Sequence, residues 1–179
     1  MTWQERLIRR YPHLFVQSFR GVPFAPGYPR CSDGWQAIVT RVAERIAKAS
    51  KGSSVQFTQL LEQHGMLRVH WTSKSELPQQ VELTIEEAVA LAEARSACTC
   101  IDCGAEGRMF ASDLLIFPAC KVHERGVPVP VISGFHDVYV RRGIVGGRSA
   151  LVHCRYDRTL DAFVDLRPGP VPMEGPRHG

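Results

Sequence analysis

The sequence predicts an α+β fold in which helices and a β-hairpin lead into a small zinc-binding unit of treble-clef or zinc-ribbon type, with a short antiparallel β segment after it. Three observations predict this. Apolar residues recur at helical spacing over 34–49, and again after Thr84. Over 67–72 they alternate in twos, the period of a half-buried strand. Cys100-Ile101-Asp102-Cys103 is answered, after sixteen residues, by Cys120-Lys121-Val122-His123. These C-x2-C and C-x2-H pairs have the spacing of a closed tetrahedral zinc site.

The 179 residues fit one domain of ordinary size, or a compact domain with an appendage. With 44% hydrophobic and 22% charged residues, a real core is expected and general disorder is not. No apolar run approaches the roughly 18 residues of a membrane span, and Met1–Arg6 contains no apolar signal region. Six cysteines, clustered at metal spacing, favour a reducing compartment over a disulfide framework. A soluble cytoplasmic protein without membrane contacts is expected.

In chain order, Trp3–Arg10 reads as a short helix that ends before Pro12, with Trp3, Leu7 and Ile8 on one face. Glycines and prolines over 21–31 describe an extended loop. Ser32 or Asp33 can cap a helix over 34–49, whose stripe is Trp35, Ile38, Val39, Val42 and Ile46, and Gly52 ends it. Val55–Leu61 and Leu67–Thr72 read as strands joined by Glu62-Gln63-His64-Gly65. Thr84-Ile85-Glu86-Glu87 reads as a capping box opening a helix to about Ala97, which delivers the chain into the cysteines. Arg108–Ala111 and Leu114–Phe117 can pair around Ser112-Asp113, with Pro118 as the stop. Cys120–Arg125 then fits one or two helical turns closed by Gly126, so Cys120 and His123 share a helix face. This knuckle, hairpin and helix describe the treble clef. Val127–Val131 is a stiff connector. Strand-like runs at Asp137–Val140, Ala150–His153 and Ala162–Leu166 make a small antiparallel sheet. Four prolines and three glycines from Arg167 onward predict a flexible tail over 167–179. The expected organisation is an N-terminal α+β domain over 1–97, the zinc unit over 98–126, the β segment over 127–166, and the tail.

The metal ligands expected are Cys100, Cys103, Cys120 and His123. A register with Cys98 in place of Cys100 stays open, although C-x-C spacing makes a poorer knuckle. Gly104 can take the positive φ that the first turn requires. Four protein ligands leave no position for water or substrate, so zinc here would be structural. It would also supply folding free energy that the few large apolar groups of 98–126 lack. Cys31 and Cys154 read as inert thiols, and Trp3, Trp35 and Trp71 as packing. His64 and His70 read as surface residues. His136-Asp137 and His153 could form an acid–base pair, with Asp157 and Asp161 nearby in sequence, but no nucleophile-elbow pattern accompanies them. Gly143–Gly147 lacks the ending of a phosphate loop.

Several segments together resemble a group of small, largely uncharacterised proteins encoded by bacteria, prophages and phages. They are Arg10-Tyr11-Pro12, Cys31-Ser32-Asp33-Gly34-Trp35, Gly65-Met66-Leu67-Arg68-Val69, Ala94 to Gly107, and Cys120-Lys121-Val122-His123-Glu124. The resemblance covers about residues 1–125 and supports the same four ligands. It departs at Met66 and at Ile116-Phe117-Pro118, and Cys98 is additional. The family implies no particular activity.

The net charge of +4 is uneven: residues 1–31 carry five Arg and one Glu, and residues 127–158 carry five Arg and two Asp. From these features a zinc-stabilised, non-enzymatic binding protein is expected, acting on a protein partner as a host-takeover or anti-defence inhibitor would. The alternative is nucleic-acid binding through Arg9, Arg10, Arg141, Arg142, Arg148, Arg155 and Arg158, which also read plainly as a solvated surface because no dense basic run occurs. A nuclease of the treble-clef ββα-metal type would need a hairpin histidine, and residues 104–119 contain none.

Overall fold

The computed structural model describes residues 1–113, 115–135 and 137–168, the last four of them by backbone alone. The chain is α+β, as its periodicities require. Helix α1 (Trp3–Arg10) opens on a capping box that the sequence reading missed: Glu5 N–H donates to Thr2 Oγ1 at 3.2 Å and Thr2 N–H to Glu5 Oε2 at 2.8 Å. Trp3 and Leu7 are buried. Pro12 ends nothing further, because a proline in the first turn lacks only an N–H that would have no partner. It starts the short α2 (Pro12–Phe15), which buries Leu14 and Phe15.

The expected loop over 21–31 carries more structure than its glycines and prolines suggested. Strands β1 (Gln17–Phe19) and β2 (Val22–Phe24) form a hairpin, and β3 (Pro29–Arg30) runs parallel to a strand further on. After a 3-10 turn at Asp33–Trp35, α3 (Gln36–Ala49) buries the whole predicted stripe, Trp35 included. The next strands, β4 (Val55–Gln63) and β5 (Met66–Ser73), pair antiparallel and extend slightly beyond the expected runs. Their turn needs only His64 and Gly65, both at positive φ (52° and 75°), which matches the twist of the flanking strands.

Helix α4 (Gln79–Ala97) organises the molecule. It starts at Pro78, so the capping box expected at Thr84 is overruled. Thr84 sits inside the helix and its hydroxyl donates back to the Gln80 carbonyl at 2.7 Å. One side of α4, with Ile85, Ala88 and Ala92, closes the main core over Phe15, Trp35, Ile46, Phe57, Leu60 and Leu67. The other side, with Leu91 and Ala94, takes the C-terminal sheet through Tyr139, Tyr156 and Phe163. Among the described residues, no helix is long and apolar enough to cross a membrane.

Beyond the cysteines, β6 (Arg108–Ser112) pairs with β7 (Leu115–Ala119), and β8 (Val127–Pro128) adds to its other side. Pro118 does not stop β7. It lies opposite Met109 in an edge strand, where a missing N–H is tolerated. The helix expected over Cys120–Arg125 is absent, and one turn, His123 N–H to the Cys120 carbonyl at 3.0 Å, takes its place. Gly126 (φ +79°) is not a helix cap but runs against β6, and a Cβ there would meet the Ala111 carbonyl at 2.3 Å. Val127-Pro128 then holds the chain extended.

The last sheet has the order β11-β10-β9 and is antiparallel throughout. Its strands, β9 (Val138–Val145), β10 (Arg148–Asp157) and β11 (Ala162–Pro168), are longer than their predicted runs. Gly143 lies within β9 rather than between strands. Of the expected tail, Arg167 and Pro168 continue β11, and the rest lies outside the described residues. Asp161, in the β10–β11 connection, fixes this sheet to the helices. It accepts from Arg41 (2.7 Å), Arg45 (2.9 Å) and the Tyr156 hydroxyl (2.6 Å), with Arg95 at 3.6 Å.

Candidate metal centre

Two backbone turns converge at the end of α4. In the first, Gly104 N–H donates to the Cys100 carbonyl at 2.9 Å and Gly104 adopts φ +76°. The second is the Cys120–His123 turn. They are tied together by Ile101 N–H to the Pro118 carbonyl at 3.1 Å and by Arg125, which reaches Asp102 at 2.8 Å and lies over the Phe117 ring at 4.5 Å. Beneath them, among the described residues, lies a small core of Phe110, Phe117 and Ala119, with Ile101 packed against it.

The Sγ atoms of Cys100, Cys103 and Cys120 and a ring nitrogen of His123 lie within 4.8 Å of one another. Cys103 Sγ to Cys120 Sγ is 3.7 Å, Cys100 Sγ to His123 Nδ1 is 3.6 Å, and Cys120 Sγ to His123 Nδ1 is 3.3 Å. A regular tetrahedron with metal–sulfur bonds of 2.3 Å has edges of about 3.8 Å, slightly shorter where nitrogen replaces sulfur. The four donors therefore fit one metal ion. Thiols are weak hydrogen-bond donors and account poorly for so tight a cluster.

The electrostatics also favour a cation. Burial works against the Cys100 thiolate, but the amides of Cys120, Cys103 and Asp102 outweigh it and its pKa lies below the ordinary thiol value. Cys120 is likewise opposed by burial, yet the His123 and Val122 amides and the His123 ring bring it down to about 6. Cys103 has the Ala105 amide in its favour, but burial and the sulfurs of Cys120 and Cys100 push it up. His123 is raised by its bonds to Cys120 and Cys100. The lowered values at Cys100 and Cys120 favour their thiolates, the form that binds a divalent ion.

The Cys98 register has no support in this arrangement. The Cys98 thiol donates to the Arg95 carbonyl at 3.3 Å and faces Arg158 at 3.7 Å, outside the cluster. Cys31 is pushed up to about 12 by burial and by Asp33, and burial also raises Cys154, so both stay protonated. His64 and His70 are exposed. Asp157 caps its own turn through Thr159 and Leu160, and Asp161 is held by arginines. His136 lies outside the described residues. Of the arginines considered for phosphate contact, Arg141 faces Glu87 (3.5 Å) and Arg142 faces Glu86 (3.3 Å) and Glu82 (3.8 Å). Arg158 faces Glu106 (3.6 Å) and donates to Thr99 Oγ1 (2.8 Å). Arg10 lies over Tyr11, and Arg9 and Arg148 are exposed.

Residues that position the first turn were not singled out as part of the site. Gly34 N–H donates to the Ile101 carbonyl at 3.0 Å, and the buried Trp35 Nε1 donates to the Thr99 carbonyl at 2.9 Å. A Cβ on Gly34 would stand 2.4 Å from the Cys100 carbonyl. The only hint in the sequence is a glycine directly before a core tryptophan. Comparisons with protein-family models, curated proteins and solved structures give no match to this chain.

Proposed function

We propose that the Cys100, Cys103, Cys120 and His123 cluster holds Zn2+ as a structural ion, and that the protein is a non-enzymatic binding protein acting through a protein partner. The observation that carries the reading is the set of sulfur and nitrogen separations, which suits a tetrahedron filled by protein donors. Three thiolates and an imidazole select zinc among the common divalent ions. With four protein donors no coordination position is left for substrate, so the ion braces the chain and does no chemistry. The exposed apolar side chains of the C-terminal sheet give a partner something to bury. The resemblance to phage and prophage proteins makes a host protein the natural partner, as for a host-takeover or anti-defence inhibitor. Nucleic-acid binding has less support, because Arg141, Arg142 and Arg158 already face glutamates.

Two measurements test this. Elemental analysis of protein purified without chelator should find about one zinc per chain, and Cys103→Ser should lose the zinc and disorder residues 98–126. Unchanged zinc content and melting temperature in that variant would refute the structural role. Retention of partners from host lysate should survive nuclease treatment; loss of every partner on nuclease treatment would favour nucleic acid.

A further inference from the structure

The C-terminal sheet is held to the helices by different means from the rest of the fold. The main core closes over large side chains such as Phe15, Trp35, Phe57 and Leu60, all fully buried. At the junction with the sheet, α4 offers the buried Leu91 and Ala94, with the half-buried Cys98 at its end. Tyr139, Tyr156 and Phe163 of the sheet lie over them, and these rings also pack on one another, with centroids 6.0, 6.1 and 6.4 Å apart.

Charge holds the remainder of the junction. Asp161 meets Arg41 and Arg45 of α3 and Arg95 near the end of α4. Towards the start of α4 the signs reverse: Arg141 meets Glu87, and Arg142 meets Glu86 and Glu82. This reversal fixes which way the sheet lies along the helix. Glu86 Oε2 and Arg141 Nε are buried there without a hydrogen-bond partner among the described residues, which costs stability at this junction. Desolvated ion pairs, too, contribute less than apolar packing of the same extent. The chain enters the sheet through residues 129–135, which carry no helix or strand. Few buried apolar contacts and a polar junction mark a region that opens before the core does.

We infer that the β9–β11 sheet is a charge-latched unit that leaves α4 while the main core stays folded, so that the Leu91 and Ala94 face of the helix is covered and uncovered by a switch built into the chain. Asp161 is its principal catch, because one carboxylate serves three guanidinium groups. The unit carries its own reporter. Cys154 lies opposite Tyr139, on the inner face of β10, and is 2% exposed. Its thiol is out of reach of solvent until the sheet moves.

The test uses the full-length protein. Iodoacetamide labelling of Cys154 is read by peptide mass spectrometry and amide exchange of β4 in parallel, each scaled to its rate in an unfolded peptide. Cys154 should be reached at least about a hundredfold more readily than the β4 amides, because opening comes before unfolding of the core. Low concentrations of urea should speed the β4 amides more steeply than Cys154, since opening exposes less surface than unfolding. Both comparisons use the parent protein and stand even where a variant fails to fold. Asp161→Asn should raise Cys154 labelling about tenfold, the effect of losing a charge-assisted pair, with circular dichroism unchanged. Val55→Ala trims the main core; it should speed the β4 amides and leave Cys154 labelling as it was. Cys154 labelling that matches the β4 amides in rate and urea dependence would overturn the inference, because the sheet would then leave only when the whole molecule unfolds. So would an Asp161→Asn protein that labels at the parent rate, or a Val55→Ala protein in which Cys154 speeds up as much as β4.

Discussion

Gly34 sets how closely the Cys100–Gly104 turn can approach the start of α3. Its missing side chain lets the Cys100 and Ile101 carbonyls lie 2.4 and 2.5 Å from where a Cβ would stand, and both obstacles are backbone atoms that cannot rotate away. Gly34→Ala should therefore destabilise the protein by about 2 kcal/mol or more, the cost typical of overpacking, and should weaken zinc retention as well. Urea unfolding with a parallel zinc assay checks both. The ligands themselves predict a pH dependence. Zinc needs thiolates and a neutral imidazole, so protons compete with it. Cys120 already sits at about 6 and Cys100 lies below the ordinary thiol value. Zinc should stay bound at neutral pH and leave as pH falls below that range, together with the structure of 98–126. A chromophoric chelator followed during acid titration would show it; zinc that stays bound through strong acid would contradict it.

Among the elements, α4 shows why part of the fold was legible in the sequence and part was not. The stripe of α3 faces a single core, so its spacing stood out and every member of it is buried. Helix α4 is covered on two sides, which spreads its apolar residues round the axis and hid Leu91 and Ala94 as the seat of a second sheet. The Thr84 box was sound chemistry at the wrong place, since Pro78 starts the helix earlier. Cys120 and His123 meet Cys100 and Cys103 as their spacing predicts, but from a single turn rather than a helix, because a turn presents residues three apart as well as a helix does. Distant charge pairing left no local signal, and Asp161 is the clearest case. Burial opposes its carboxylate, but the Tyr156 hydroxyl, Arg41 and Arg45 outweigh it and hold its pKa below the usual value. A depressed carboxylate adds stability that is present above its unfolded pKa and lost as pH falls through the folded one. Asp161→Asn should cost about 1–2 kcal/mol at neutral pH, a modest figure because Arg41 is half exposed. The gap from the parent protein should close as pH drops below about 4. Denaturant curves at several pH values test that sign.

At the scale of the whole molecule, the two ligand turns lean on the N-terminal core through Gly34 and Trp35, and on each other through Arg125 and the Ile101–Pro118 bond. The C-terminal sheet rests on α4 and is pinned by Asp161, and its outer face carries the exposed Val140, Ile144 and Leu151. The Cys100, Cys103, Cys120 and His123 cluster therefore lies at the junction of the helical core and the small β6–β8 sheet, where a bound ion would stiffen the support of both. The most direct test is X-ray absorption at the zinc edge on protein purified without chelator. About one zinc per chain should show three sulfurs at about 2.3 Å, one nitrogen at about 2.0–2.1 Å and no oxygen. A first shell containing oxygen would mean an open and potentially catalytic site, and no stoichiometric metal would mean that the cluster is not a zinc centre.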